Sequence, residues 1–184
     1  MTFKVTFDLG EADLRHLAEV AQVQQSAART QPKDHLVAAA REVYLKGSQA
    51  HLADFVKERY SRLGTMLEMM DDAEWQLGDE DMQRLLNALA CFGAPTSGAS
   101  SALLDQAIMI ELVSRDLHHD LESYRDFCKF RTAQMAKRHS PGADREQWLS
   151  QRRVTLQQRM HTRRKRDLDN AAGPVRRLFS LFGL

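Results

Sequence analysis

The chain has 184 residues, a formal net charge of +1, 43% hydrophobic and 28% charged residues, and only 9 Gly and 4 Pro. Its two cysteines, Cys91 and Cys128, have no partner at ligand spacing, which argues against a disulfide framework or a cysteine-ligated zinc site. No apolar run approaches the ~18 residues of a membrane-spanning helix, and so few turn-forming residues imply long helices.

Phe3, Val5 and Phe7 alternate with polar residues and read as an extended arm laid on the body. No apolar core of a secretory signal follows them, so the expected compartment is the cytoplasm. A first helix is expected over Glu11 to about Arg29, with Leu14, Leu17, Ala18 and Ala21 on one face. A second starts at Pro32, whose missing N–H is not needed there, and is expected to stop at Gly47. A third spans about Gln49 to Asp71, where Leu52, Phe55, Val56, Leu63, Met66, Leu67 and Met70 form one stripe. Gly78 and Asp79 mark a turn with Asp79 as N-cap, and the fourth helix carries Met82, Leu85, Leu86 and Leu89 to about Gly93.

After a loop of turn residues at Thr96 to Ser100, a heptad seam of Leu103, Ala107, Ile110, Ser114, Leu117, Leu121, Tyr124, Cys128, Arg131 and Met135 predicts one uninterrupted helix over about 101–137. Ser140, Pro141 and Gly142 break the chain. A last helix, Asp144 to about Ala172, has sparse apolar positions: Trp148, Leu149, Val154, Leu156, Met160 and Leu168. Trp148 and Leu149 are expected to pack antiparallel on the end of the long helix, and Arg163 to Arg166 to have no buried face. The fold class that follows is all-α: an irregular helical bundle with one long helix and a basic helical C-terminal extension, divided as 1–139 and 143–184.

Leu85 to Ala90, followed past the loop by Leu104 to Val113, resembles the YkvA-type domain family of bacteria, and Asp126 to Arg131 resembles its longer members. The family's Asp-Leu-Ile-Pro-Asp hairpin and Gly-x-x-Asp-Asp turn are replaced here by Thr96 to Leu104; Asp105 matches one of the paired aspartates and Gln106 stands for the other. The resemblance implies a helical fold with no established reaction.

The densest polar cluster is Glu111, Arg115, His118, His119 and Glu122. It contains no Glu-x-x-His or His-x-x-x-His pair, and Arg115 stands among the carboxylates, so it reads as a salt-bridged helix face with no metal or other cofactor. Cys91 lies between Ala90 and Phe92 with no basic neighbour and reads as a core thiol. Asp79, Glu80 and Asp81 suit the positive end of a helix dipole. With no nucleophile motif or phosphate loop, the chain is expected not to be an enzyme and no small-molecule substrate is evident.

The charge asymmetry is the stronger signal. From Arg145 on, Arg145, Arg152, Arg153, Arg159, Arg163, Arg164, Lys165, Arg166, Arg176 and Arg177 face only Glu146, Asp167 and Asp169, which leaves the preceding body acidic. Arg152, Arg153, Arg159, Arg163, Arg164, Lys165 and Arg166 are candidates for neutralising phosphates of a nucleic acid, an acidic protein partner, or the acidic body itself. Aromatic stacking platforms are missing beside them. Arg176, Arg177, Leu178, Phe179, Leu181 and Phe182 read as a core cap or as an amphipathic anchor at the inner membrane surface. Phe179 to Phe182 also resembles the end of the peptide that partners insert into bacterial sliding clamps. The leading expectation is a non-catalytic helical interaction or adaptor protein acting through the long helix and basic tail, including a homodimer that covers Leu117, Leu121 and Tyr124. The alternatives are a nucleic-acid-associated protein and a peripheral membrane protein.

Overall fold

A computed structural model of the chain describes residues 10, 12, 15, 19, 23, 26, 31–92, 100–136 and 142–170. Among these residues there are six helices and no strand: α1 (Lys33–Gln49), α2 (Asp54–Asp71), α3 (Asp79–Ala90), α4 (Ser100–Asp116), α5 (His118–Ala136) and α6 (Gly142–Asn170). The all-α class is what the sequence implies. No helix among the described residues is long and apolar enough to cross a membrane. Of the expected first helix the structure describes Ala12, Arg15, Glu19, Val23 and Ser26, all helical and exposed. The arm at Phe3, Val5 and Phe7, and the apolar face at Leu14, Leu17, Ala18 and Ala21, lie outside the described residues, as does the loop before Ser100.

Helix α2 is the centre of the bundle; α1, α3, α4 and α5 all pack against it. The contact with α1 depends on two glycine–tyrosine pairs. Gly47 does not stop α1, which continues to Gln49. It is buried instead, and a Cβ there would lie 2.1 Å from the Tyr60 ring. Gly64 of α2 lies in the same way beneath Tyr44 of α1, where a Cβ would come within 2.7 Å. Tyr60 is fixed at its other end: its hydroxyl donates to the Leu103 carbonyl (3.1 Å) and meets the Gln106 side-chain oxygen at 3.0 Å. The Asp79 cap also shifts by one residue, with Gly78 as N-cap and Asp79, Glu80 and Asp81 in the first turn of α3.

The expected uninterrupted rod over 101–137 is divided at Leu117 into α4 and α5. Side chains take up the two carbonyls that precede the break. His118 Nδ1 sits 2.7 Å from the Arg115 carbonyl, and Arg84 donates to the Asp116 carbonyl at 3.0 Å. Side chains inserted into the i→i−4 ladder are a standard cause of such a break. The heptad stripe still describes the buried face: Leu117, Leu121 and Tyr124 are each at most 3% exposed, covered within the chain.

Helix α6 packs along α5. Leu149 and Leu156 belong to the same apolar core as Tyr60, Trp75 and Ile110, and Met160 is fully buried. The division drawn at residues 139–143 therefore falls between two helices that share one core. Leu149 packs as expected, whereas Trp148 is 40% exposed. Arg163 to Arg166 do have a buried member, since the Arg164 side chain is only 10% exposed.

Gly47→Ala is expected to destabilise the protein by about 1–3 kcal/mol in urea unfolding, because overpacking against the doubly bonded Tyr60 outweighs the gain in helix propensity. Gly78→Ala, whose added Cβ meets nothing within 4 Å, should have a much smaller effect in the same measurement.

Candidate functional site

The seam where α6 meets the rest of the molecule gathers most of the buried polar groups. It has three parts. The first is the connection between α2 and α3. Asp72 Oδ1 receives the backbone N–H of Glu74 (2.9 Å) and of Trp75 (3.2 Å), which turns the chain and points Trp75 inward. Trp75 is fully buried, edge-on to Tyr124 (ring centroids 5.7 Å apart) and tilted on Phe127 (5.2 Å). Asp72 Oδ2 accepts from the Tyr124 hydroxyl (3.0 Å) and from Arg131 (2.6 Å). Glu74 pairs with Arg131 (3.0 Å) and Arg145 (2.9 Å). Arg153 donates to the Glu74 carbonyl, and Gln157 to the carbonyls of Trp75 and Gln76. Gln76 holds a left-handed backbone with φ 50°, a geometry costly for a residue with a Cβ. Burial pushes the Asp72 carboxyl up, but Arg131, the Glu74 N–H and Tyr124 outweigh it and hold it below its ordinary value.

The second part is a buried ionic network. Asp81 of α3 is 5% exposed and accepts from Arg164 and from His161 (2.9 Å), both on α6. Arg164 also lies 3.5 Å from Asp120 of α5, which is 2% exposed. Arg84 of α3 binds the Asp116 carboxylate at 2.6 Å. The carboxyl of Asp81 is raised by burial but lowered further by Arg164 and His161, with a net fall. Asp116 and Asp120 go the other way. Burial raises both, and the neighbouring Arg84, Arg164 and, for Asp116, His118 only partly offset it. Taking one partner from such a pair leaves an uncompensated buried charge and costs about 3–5 kcal/mol.

The third part lies where α5 begins. The rings of His118 and His119 approach to 3.7 Å between centroids. Asp167 Oδ2, from α6, is 2.8 Å from His119 Nε2 and 3.8 Å from His118 Nε2. These three side chains form a group of donor atoms that all lie within 4.8 Å of one another. Glu111 makes the expected i,i+4 salt bridge with Arg115 (3.1 Å) and is also held by Arg59 (3.1 Å) and Arg62 (2.8 Å) of α2. Glu122 pairs with Arg163. Beside the histidines a trough of about 370 Å³ runs between α2 and α5, lined by Glu58, Arg62, His118, Glu122, Arg125 and Lys129 among others.

The cations expected to face a partner are mostly engaged with the chain itself. Arg153 is bound to the Glu74 carbonyl, Arg159 to Asp126 (2.6 Å), Arg163 to Glu122 (2.6 Å) and Arg164 to Asp81. Arg152 lies over the Phe130 ring at 5.6 Å. Lys165 and Arg166 are exposed. Arg176, Arg177, Leu178, Phe179, Leu181 and Phe182 lie outside the described residues. Trp75, Asp116, Asp120, His161 and Asp167 belong to the site without having been singled out from sequence. The spacing does carry a trace of it: Leu149, Arg153, Leu156, Met160, Arg164 and Asp167 step by three and four along α6, so two arginines and a carboxylate occupy seam positions.

Comparison with known proteins finds no matching family model, no matching curated protein and no matching solved structure.

Asp72→Asn is expected to lower stability at pH 7 by about 1–3 kcal/mol. Because the folded carboxyl is depressed below its unfolded value near 3.9, its contribution is complete above that value and is lost as pH falls through the lower folded one. The gap between wild type and Asp72→Asn in urea unfolding should thus be constant from about pH 6 to 8 and narrow as pH falls below the unfolded value near 3.9.

Proposed function

We propose that this protein is a non-catalytic helical interaction module of the cytoplasm, and that it engages a charged protein segment. The reading rests on one observation. Its conspicuous cations and carboxylates are arranged as mutual partners that fix α6 on the body, and the open feature beside them is a trough of mixed charge. Buried carboxylates that neutralise guanidinium groups hold helices together; they do not leave an acid and a base at a shared reacting atom. The trough alternates Glu58, Arg62, Glu122, Arg125, Asp126 and Lys129, a pattern that suits the charged side chains of a peptide or helix. A phosphate backbone would meet repulsion from three of those six groups. The likeness to the YkvA-type family is part of this proposal and points the same way, to a helical domain without an assigned reaction.

The decisive surface is accordingly the trough and not the basic helix as a whole. Arg125→Glu with Lys129→Glu, both exposed, should leave the unfolding midpoint nearly unchanged and abolish capture of the partner protein that wild type retains at moderate salt. Wild type should show no retention on duplex DNA or single-stranded RNA at low salt. Steeply salt-dependent retention that the double variant loses would instead establish the nucleic-acid reading.

A further inference from the structure

His118, His119 and Asp167 come together from two helices, the third lying 48 positions after the second. The tautomer of His118 can be deduced. Its Nδ1 lies 2.7 Å from the Arg115 carbonyl, which can only accept, so Nδ1 carries the hydrogen. In the neutral ring Nε2 is then a bare lone pair. It faces Asp167 Oδ2, another lone-pair donor, at 3.8 Å, which is beyond hydrogen-bond range. A ring nitrogen oriented in this way by a carbonyl on its other nitrogen is the usual arrangement of a metal-bound histidine. His119 contributes a second ring nitrogen. Its Nε2 lies 2.8 Å from the same carboxylate oxygen, to which it donates its hydrogen in the ion-free protein, and its Nδ1 is buried with no hydrogen-bond partner, so an ion at Nε2 would replace that hydrogen, with the ring proton moving to Nδ1.

From this geometry we infer that His118 Nε2, His119 Nε2 and Asp167 bind a single divalent transition-metal ion of the zinc type. Two imidazoles and a carboxylate are a common ligand set for zinc, with water in the fourth position. Metal–ligand bonds of ~2.0–2.1 Å set the edge of a tetrahedron at about 3.3–3.4 Å. The two separations at Asp167 Oδ2, 2.8 and 3.8 Å, bracket that length. The needed adjustment is small and falls on side chains that can make it, since His118 and Asp167 are each about half exposed. His118 also lines the open trough, which gives the ion a path in and leaves a side for water. The charges around the site are of both signs. Arg166 opposes a cation through Asp167, while Asp116, within electrostatic reach of His118, favours it.

Such an ion would join the first turn of α5 to the last turns of α6. Its effect would be to fasten the end of α6 beyond the Asp81–Arg164 pair, and the ion's binding free energy would add to the stability of the docked helix.

The test is titration of the full, untagged chain with zinc ions in calorimetry, with melting and cobalt-substituted absorption as parallel readouts. The expected result is one equivalent bound, a raised Tm on zinc addition, and a visible cobalt band typical of four-coordinate nitrogen and oxygen ligation. His118→Ala and Asp167→Asn, both at half-exposed positions, should weaken binding at least about tenfold. His161→Ala, which removes a histidine of the same helix bonded to Asp81, should leave it intact. Absence of saturable zinc binding overturns the inference, and so does binding that survives both His118→Ala and Asp167→Asn. A failure here would leave the reading of the trough unaffected, because that reading is measured by Arg125 and Lys129.

Discussion

Helix α6 is too polar to be held by its apolar side chains alone. Over its described side chains it buries Leu149, Leu156 and Met160 fully, and Trp148, Val154 and Leu168 remain exposed. What fixes it is the pairing of its arginines with carboxylates and carbonyls that other helices present: Asp81 from α3, Asp126 and Glu122 from α5, and the Glu74 backbone between α2 and α3. The Asp81–Arg164 pair is the most deeply buried of these. His161 shares the same carboxylate, Asp120 lies within reach of the same guanidinium, and Asp167 is carried to the two histidines.

The break at Leu117 belongs to the same arrangement. A continuous helix would direct the Asp116 carbonyl to the backbone of the next turn. Here Arg84 takes that carbonyl as well as the carboxylate, and His118 takes the carbonyl before it. Asp116 and Asp120, four residues apart across the break, face arginines of α3 and α6: Asp116 binds Arg84, and Asp120 lies 3.5 Å from Arg164. The cost in lost helical hydrogen bonds is partly offset by the charge-assisted bonds from Arg84, which are stronger than the neutral bond they replace. On the other side of α6, Trp75 is inserted between the same helices by the Asp72 turn, so one connection links α2, α5 and α6.

The helices were legible in the sequence because apolar spacing reports which face is buried. The stripe through Leu117, Leu121 and Tyr124 is the buried face in the structure. The interruption was not legible, since its causes are side chains: Arg84 comes from another helix, and His118 differs in no way from an ordinary polar helix residue until the fold places it. Gly47 read as a stop signal because glycine often ends helices. Its actual role, making room for Tyr60, depends on a contact across two helices. The basic tail was visible as charge, but a count of charges does not say that Asp81 is the partner of a residue 83 positions later. The histidines lack Glu-x-x-His or His-x-x-x-His spacing and have Arg115 beside them, so the sequence does not point to a metal there, and their companion Asp167 is remote in the chain.

The account makes charge pairing, and not apolar burial, the reason α6 belongs to the body. The most direct measurement is a double-mutant cycle on Asp81→Ala and Arg164→Ala, read by urea unfolding and by amide exchange along α6. A coupling of about 2 kcal/mol or more, with each single variant exposing the α6 amides to exchange, is the predicted result. Coupling within about 0.5 kcal/mol, with α6 equally protected in all four proteins, would contradict it.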